Sequence, residues 1–239
     1  MLSVLDVLRE NEGHLPLPIE EVYRANVATR EEIEAEKDEQ RIAARIAMGG
    51  PSDLERAEAA DLAARCAQAG VPEQFRDVPL DLRHTEALAR GRWLYICGKV
   101  GTGKSTMAAG TLRGWMAHNH GTARWTTEAD MFSDLRGAIS RREPESEALW
   151  RYTGPRLLVL DDVGTEPPER AAARLKQVID ARWANGRPTI LTAQFGIDVL
   201  CRRIAQADPD AARAVGSRLS KCITVALTGP DHRREDWQG

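Results

Sequence analysis

From Trp93 onward the chain alternates short apolar runs with amphipathic stretches. Trp93–Cys97, Ala123–Thr126, Leu157–Leu160, Thr189–Thr192 and Ile223–Leu227 read as strands, and 104–118, 128–141, 168–184, 197–206 and 209–218 as helices. Continuous apolar strands separated by helices predict a parallel sheet buried on both faces, a doubly wound α/β domain. The first part of the chain has a different pattern. Met1–Leu8 predicts a short amphipathic helix, which the proline-rich His14–Pro18 cannot continue. Thr29-x-x-Glu32 opens a helix that ends before Gly49-Gly50-Pro51, and Ser52-x-x-Glu55 opens another that runs to about Gln68, before Gly70 and Pro72. These segments are polar and poor in bulky apolar side chains. The expected organisation is a small helical N-terminal region, 1–68, and an α/β domain, 69–239.

Charge sharpens this division. The net charge of −3 is an average over two unlike parts. Residues 1–90 hold 19 acidic and 11 basic side chains, whereas the remainder holds 17 and 22. An acidic front suits a protein partner and a basic back suits phosphates. No apolar run approaches the roughly 20 residues that span a bilayer, and Met1–Leu8 lacks a basic start and a cleavage site, so a cytoplasmic protein without a membrane partner is expected. The four cysteines form no CxxC pair, and neither a zinc site nor a disulfide framework is expected.

Gly98-Lys99-Val100-Gly101-Thr102-Gly103-Lys104-Ser105 fits G-x-x-x-x-G-K-[ST] between a strand and a helix, the context in which this pattern cradles phosphates. Gly98, Gly101 and Gly103, flanked by Thr102 and Thr106, let backbone N–H groups curl around a nucleotide's phosphates. Lys104 would bridge the β- and γ-phosphates of ATP, and Ser105 would ligate Mg2+. Such a site needs a carboxylate on a neighbouring strand for the magnesium and a second group to activate water. Leu157-Leu158-Val159-Leu160-Asp161-Asp162 offers Asp161 for the metal and Asp162 as base, although aspartate is a short base. Thr189–Gln194 is placed where a γ-phosphate sensor strand would lie, with Thr192 or Gln194 available to orient the attacking water.

This set of motifs, with Gly216-Ser217-Arg218-Leu219 late in the chain, resembles AAA+ ATPases. The segment Ala69-Gly70-Val71-Pro72-Glu73-Gln74-Phe75-Arg76-Asp77 is similar to the lead-in of the DnaC/IstB-type group. The resemblance covers about 69–228. It implies a P-loop AAA+ sheet, nucleotide chemistry at Lys104, Ser105, Asp161 and Asp162, a sensor at Gln194, and Arg218 as an arginine finger reaching a neighbouring subunit. Gln194 stands where Asn is usual in that group and Asp162 where Glu is common. Only 11 residues follow Thr228, so a full helical lid and its sensor arginine are not expected.

Arg124, Arg136, Arg141, Arg142 and Arg151 accompany Trp125, Phe132 and Trp150, the mixture of cations and flat rings that binds single-stranded DNA. The resemblance implies self-association on single-stranded DNA and delivery of a DnaB-type replicative helicase. The acidic N-terminal region is the expected helicase contact. The alternatives are an IstB-like transposition ATPase that binds target DNA and recruits a transposase, and a nucleotide-gated adaptor without turnover.

Overall fold

The computed structural model describes residues 53–231. The elements expected over residues 1–48, and the unassigned Arg233 and Arg234, lie outside the described residues. Helix α1, Asp53–Gln68, ends at Gly70, whose φ of +86° permits a left-handed cap; Val71 N–H donates to the Cys66 carbonyl (3.0 Å) and Gly70 N–H to that of Ala67 (3.0 Å). A single 3-10 turn, Glu73–Phe75, and the short α2, Thr85–Ala89, lead into β1, Leu94–Gly98. There follow α3 (Lys104–His118), β2 (Ala123–Thr127), α4 (Glu128–Ser140), α5 (Glu145–Thr153), β3 (Leu157–Val163), α6 (Pro168–Ala184), β4 (Thr189–Ala193), α7 (Ile197–Ala205), α8 (Pro209–Leu219) and β5 (Ile223–Leu227).

The strands pair in parallel in the order β2-β3-β4-β1-β5. Side chains alternate between two cores, as the period of a strand requires. Leu94, Ile96, Leu157 and Val159 face α3, the end of α1 and α2. Tyr95, Leu158, Leu160 and Leu191 face the layer built by α4 to α8. Sequence patterning missed two helices. In α5 the buried stripe is only Ala148 and Tyr152, too short to register as a period. In α2 five residues suffice because Leu88 anchors the turn in the core.

Two glycines on α3 position the segment that precedes β1. A Cβ on Gly110 would meet the Pro79 carbonyl oxygen at 2.8 Å, and one on Gly114 would meet that of Asp81 at 2.6 Å. The Asp81 N–H also donates to the Gly110 carbonyl (2.9 Å). The 79–82 stretch can lie on this helix only because both positions lack side chains. A Gly114→Val substitution should therefore destabilise the protein by roughly 1–3 kcal/mol, the usual cost of overpacking, despite losing a helix-interior glycine. Urea unfolding measures this, and an unchanged midpoint would contradict the packing described.

Candidate nucleotide site

The carboxyl ends of β1, β3 and β4 converge. β4 lies between β1 and β3, so the polar end of β4 separates the phosphate loop from the two aspartates, the placement expected from sequence. Gly101 (φ +78°) and Gly103 (φ +86°) hold left-handed conformations that a side chain would strain. At Gly101 a Cβ would also overlap the Asp231 carboxylate. Gly103 caps α3, whose first residues are Lys104, Ser105 and Thr106, so the helix N-terminus points its N–H groups into the site. Lys104 is 6% exposed and donates from Nζ to the Lys99 carbonyl of its own loop (2.8 Å).

The Ser105 hydroxyl donates to Asp161, 3.0 Å from Oδ1 and 3.1 Å from Oδ2. Thr192 Oγ1 donates to the same carboxylate and accepts from the Asp162 N–H (3.0 Å). Burial pushes the Asp161 carboxyl up; the Thr192 and Ser105 hydroxyls pull it back, and the neighbouring Asp162 charge adds to the rise. A hydroxyl beside a desolvated carboxylate is a hard-oxygen pair that suits Mg2+, which is commonly held by one or two protein oxygens and completed by phosphates and water.

Consecutive strand residues point to opposite faces, so Asp161 and Asp162 would not both reach one site on a regular strand. A register shift between Leu160 and Val163 in the β3·β4 pairing, with Asp162 at φ +55°, breaks that rule. Asp162 consequently lines a cavity of about 660 Å³ together with Lys104, Ser105, Thr106 and Gln194. Gln74 and Phe75 close another side of this cavity, so the segment that carried the sequence resemblance is part of the site wall. A second cavity of about 900 Å³ shares Gly103 and Thr106 and has apolar walls at Val78, Leu80, Leu82, Met107 and Leu227.

The other expected site residues fall elsewhere. Arg218 does not line the cavity; its Nε sits 3.0 Å from Asp180 Oδ1, and its guanidinium also donates to the Ala214 carbonyl (3.2 Å). Trp125 is corrected: it is 5% exposed and packed on Phe75, with ring centroids 6.0 Å apart, so no nucleic-acid base can stack on it. Phe132 is likewise a core side chain. Arg124 lies over the Tyr152 ring, 4.7 Å from its centroid. Arg141 and Arg151 are tied to Asp134 and Glu143. Arg136 and Arg142 are exposed, and Trp150, 66% exposed, is the accessible ring of this group.

Sequence reasoning missed Glu128. It is fully buried at the start of α4, and its Oε2 accepts from the N–H groups of Gly164 (2.9 Å), Thr165 (3.1 Å) and Glu166 (3.1 Å). Burial pushes its carboxyl up while these three bonds hold it down. It is one of many acidic residues in the sequence, and partners that are backbone N–H groups leave no motif.

Thr192 is the hinge of the polar network, so Thr192→Val, similar in shape but without the hydroxyl, takes the acceptor from the Asp162 N–H and leaves Asp161 with the Ser105 hydroxyl as its side-chain donor. ATP turnover should fall by about 10- to 100-fold. A coupled assay checks this, and a wild-type rate would remove Thr192 from the reaction.

A five-stranded parallel sheet with a phosphate loop, a buried metal-type carboxylate and a polar strand between them defines a P-loop ATP-binding protein of the AAA+ class. The family model described as IstB-like ATP binding protein matches residues 75–236, and the chain belongs to that family. Among solved structures, the crystal structure of DnaI is 19% identical, with a TM-score of 0.53 over 61% of this chain and 80% of that one. That of the DnaC helicase loader is 17% identical, with a TM-score of 0.54 over 66% of this chain and all of that one. Replication initiator DnaA bound to AMPPCP and single-stranded DNA is 19% identical, with a TM-score of 0.50 over 62% of this chain and 44% of that one. These likenesses establish the fold. No curated protein matches the sequence significantly. Among the described residues, no helix is long and apolar enough to cross a membrane.

Proposed function

We propose that this protein is a cytoplasmic, magnesium-dependent ATPase that loads a DnaB-type replicative helicase onto single-stranded DNA. The observation that carries the ATPase reading is the convergence of Lys104, Ser105 and Asp162 on one cavity beneath a helix N-terminus, with Asp161 bonded to the Ser105 hydroxyl. Bound Mg2+ would neutralise charge on the phosphates. Ser105 and Asp161 would hold it, Lys104 would meet the β- and γ-phosphates, and Asp162 with Gln194 would orient the attacking water. The adjoining apolar cavity, walled by Val78, Leu82 and Met107, would accommodate the base.

Arg218 is assigned to a neighbouring subunit's γ-phosphate, which makes turnover depend on self-association. Its partial exposure and its distance from its own cavity favour this role, and the Asp180 pairing would have to open on assembly. Arg124, Arg136 and Arg142 with Trp150 form the reading of the DNA surface that remains once Trp125 is removed. The acidic region 1–68 is assigned to the helicase. The Gly70-Val71-Pro72 lead-in supports loading over transposition, whereas the name of the matched family keeps IstB-like target-DNA binding as the second reading.

Co-purification with DnaB helicase, together with binding to labelled single-stranded and duplex oligonucleotides, separates the two. Helicase capture and preference for single strands support loading. Duplex preference without helicase capture supports the transposition reading.

A further inference from the structure

We infer that Glu128 is a positioning residue for Asp162, acting by clamping the loop that follows β3; this rests on reading the site as one that hydrolyses ATP. The β2·β3 register pairs Thr127 with Asp161, so Glu128 follows directly after the residue level with the buried aspartate. The chain at Gly164 turns with φ +84°, and the three successive N–H groups of Gly164, Thr165 and Glu166 converge on a single carboxylate oxygen. Successive backbone donors curled in this way form an anion-binding concavity. Here the anion is supplied by the protein, from the neighbouring strand's end.

The clamp reaches Asp162 through Thr165. The Thr165 hydroxyl donates to the Asp162 carbonyl (2.9 Å), while the Asp162 N–H is held by Thr192 from the other side. Asp162 is one of two non-glycine residues with positive φ among those described. Such a conformation is strained and persists only where its surroundings over-determine it. The peptide groups flanking Asp162 are thus gripped from β4 by Thr192 and, through Thr165, from α4 by Glu128. No other described side chain bonds the Gly164–Glu166 amides. Glu128 Oε1, buried without a partner among the described residues, also argues against a role in general packing, for which an apolar residue would serve better.

The test compares Glu128→Ala and Glu128→Gln with the wild-type protein, using ATP turnover, binding of a fluorescent ATP analogue, and amide hydrogen exchange. Glu128→Ala should lower kcat by about tenfold or more with analogue affinity within about twofold. Exchange at Gly164–Glu166 should accelerate by about tenfold or more, with the central strands unchanged. Glu128→Gln keeps an acceptor for the three amides and should recover most of the rate. An unchanged kcat, or a loss of rate accompanied by weaker nucleotide binding and faster exchange throughout the sheet, would overturn the inference. If the wild-type protein does not hydrolyse ATP, the functional reading fails by itself; the clamp is then decided by exchange alone, and unchanged loop exchange in Glu128→Ala refutes it.

Discussion

Lys104→Ala is expected to reduce ATP turnover by about 100-fold or more while leaving the protein folded. Both halves follow from its surroundings. In the fold, the ammonium is almost completely buried yet bonded to one carbonyl of its own loop, Lys99, and no carboxylate among the described residues pairs with it. Truncating it strands no opposite charge, so the loss that follows breaking a buried ion pair does not arise. In the site, it is the cation best placed to meet the β- and γ-phosphates, where charge shifts during phosphoryl transfer. A water-excluded cation there acts at far lower effective dielectric than in solvent. The assay is phosphate release by purified protein with Mg2+, alongside thermal unfolding. A melting temperature within a few degrees of wild type with turnover abolished is the expected pair of results; a retained rate would dismiss every enzymatic reading of this chain.

What could be read from the sequence, and what could not, separates by the kind of partner each residue uses. The phosphate loop is contiguous, and its glycines and lysine are demanded by local geometry, so eight adjacent letters suffice. The strands were legible because burial on both faces leaves nearly unbroken apolar runs such as Leu157–Leu160. The aim of Asp162 was not legible: it depends on a bulge formed against β4, and strand periodicity predicts the opposite direction. The choice between Thr192 and Gln194 had the same difficulty. The structure gives Thr192 the bonds to both aspartates and leaves Gln194 on the cavity wall, and only the third dimension separates those tasks.

Around Trp125, aromatic and basic letters side by side resemble a DNA surface, yet the ring is buried. In fact β2 is an edge strand whose outer side is covered: Trp125 N–H donates to the Ala69 carbonyl (2.7 Å), and Phe75 lies against the ring. That cover comes from a segment some 50 residues earlier, a separation no local pattern encodes. The same cover explains how one segment, 69–77, both shields the sheet edge and brings Gln74 and Phe75 to the nucleotide cavity.

Arg182→Ala should be the most destabilising of the substitutions considered, by roughly 3–5 kcal/mol, a range that reflects both lost bonds to a buried charge and the cavity left behind. Arg182 is 0% exposed at the end of α6. Its Nε donates to Thr189 Oγ1 (2.8 Å), Nη1 to the carbonyls of Tyr152 and Pro155 (2.9 Å each), and Nη2 to those of Pro188 (2.6 Å) and Arg156 (3.3 Å). One planar group thus ties the end of α5, the entry to β3 and the entry to β4. Burial, with nearby Arg187 adding repulsion, pulls its pKa down to about 9, which still leaves it charged at neutral pH. No carboxylate among the described residues bonds it, so its desolvation is offset by carbonyl dipoles and one hydroxyl. Lysine cannot reproduce the fork, because a point ammonium has three donors that do not lie in a plane. Arg182→Lys should therefore recover only part of the loss. For a domain of this size the alanine variant should melt about 10 °C lower, measured by calorimetry. Because the carboxyl ends of the strands lie on the opposite side of the sheet, nucleotide affinity of the folded fraction should remain near wild type at low temperature. A melting shift under about 2 °C would mean that the five bonds contribute little beyond what water gives the unfolded chain.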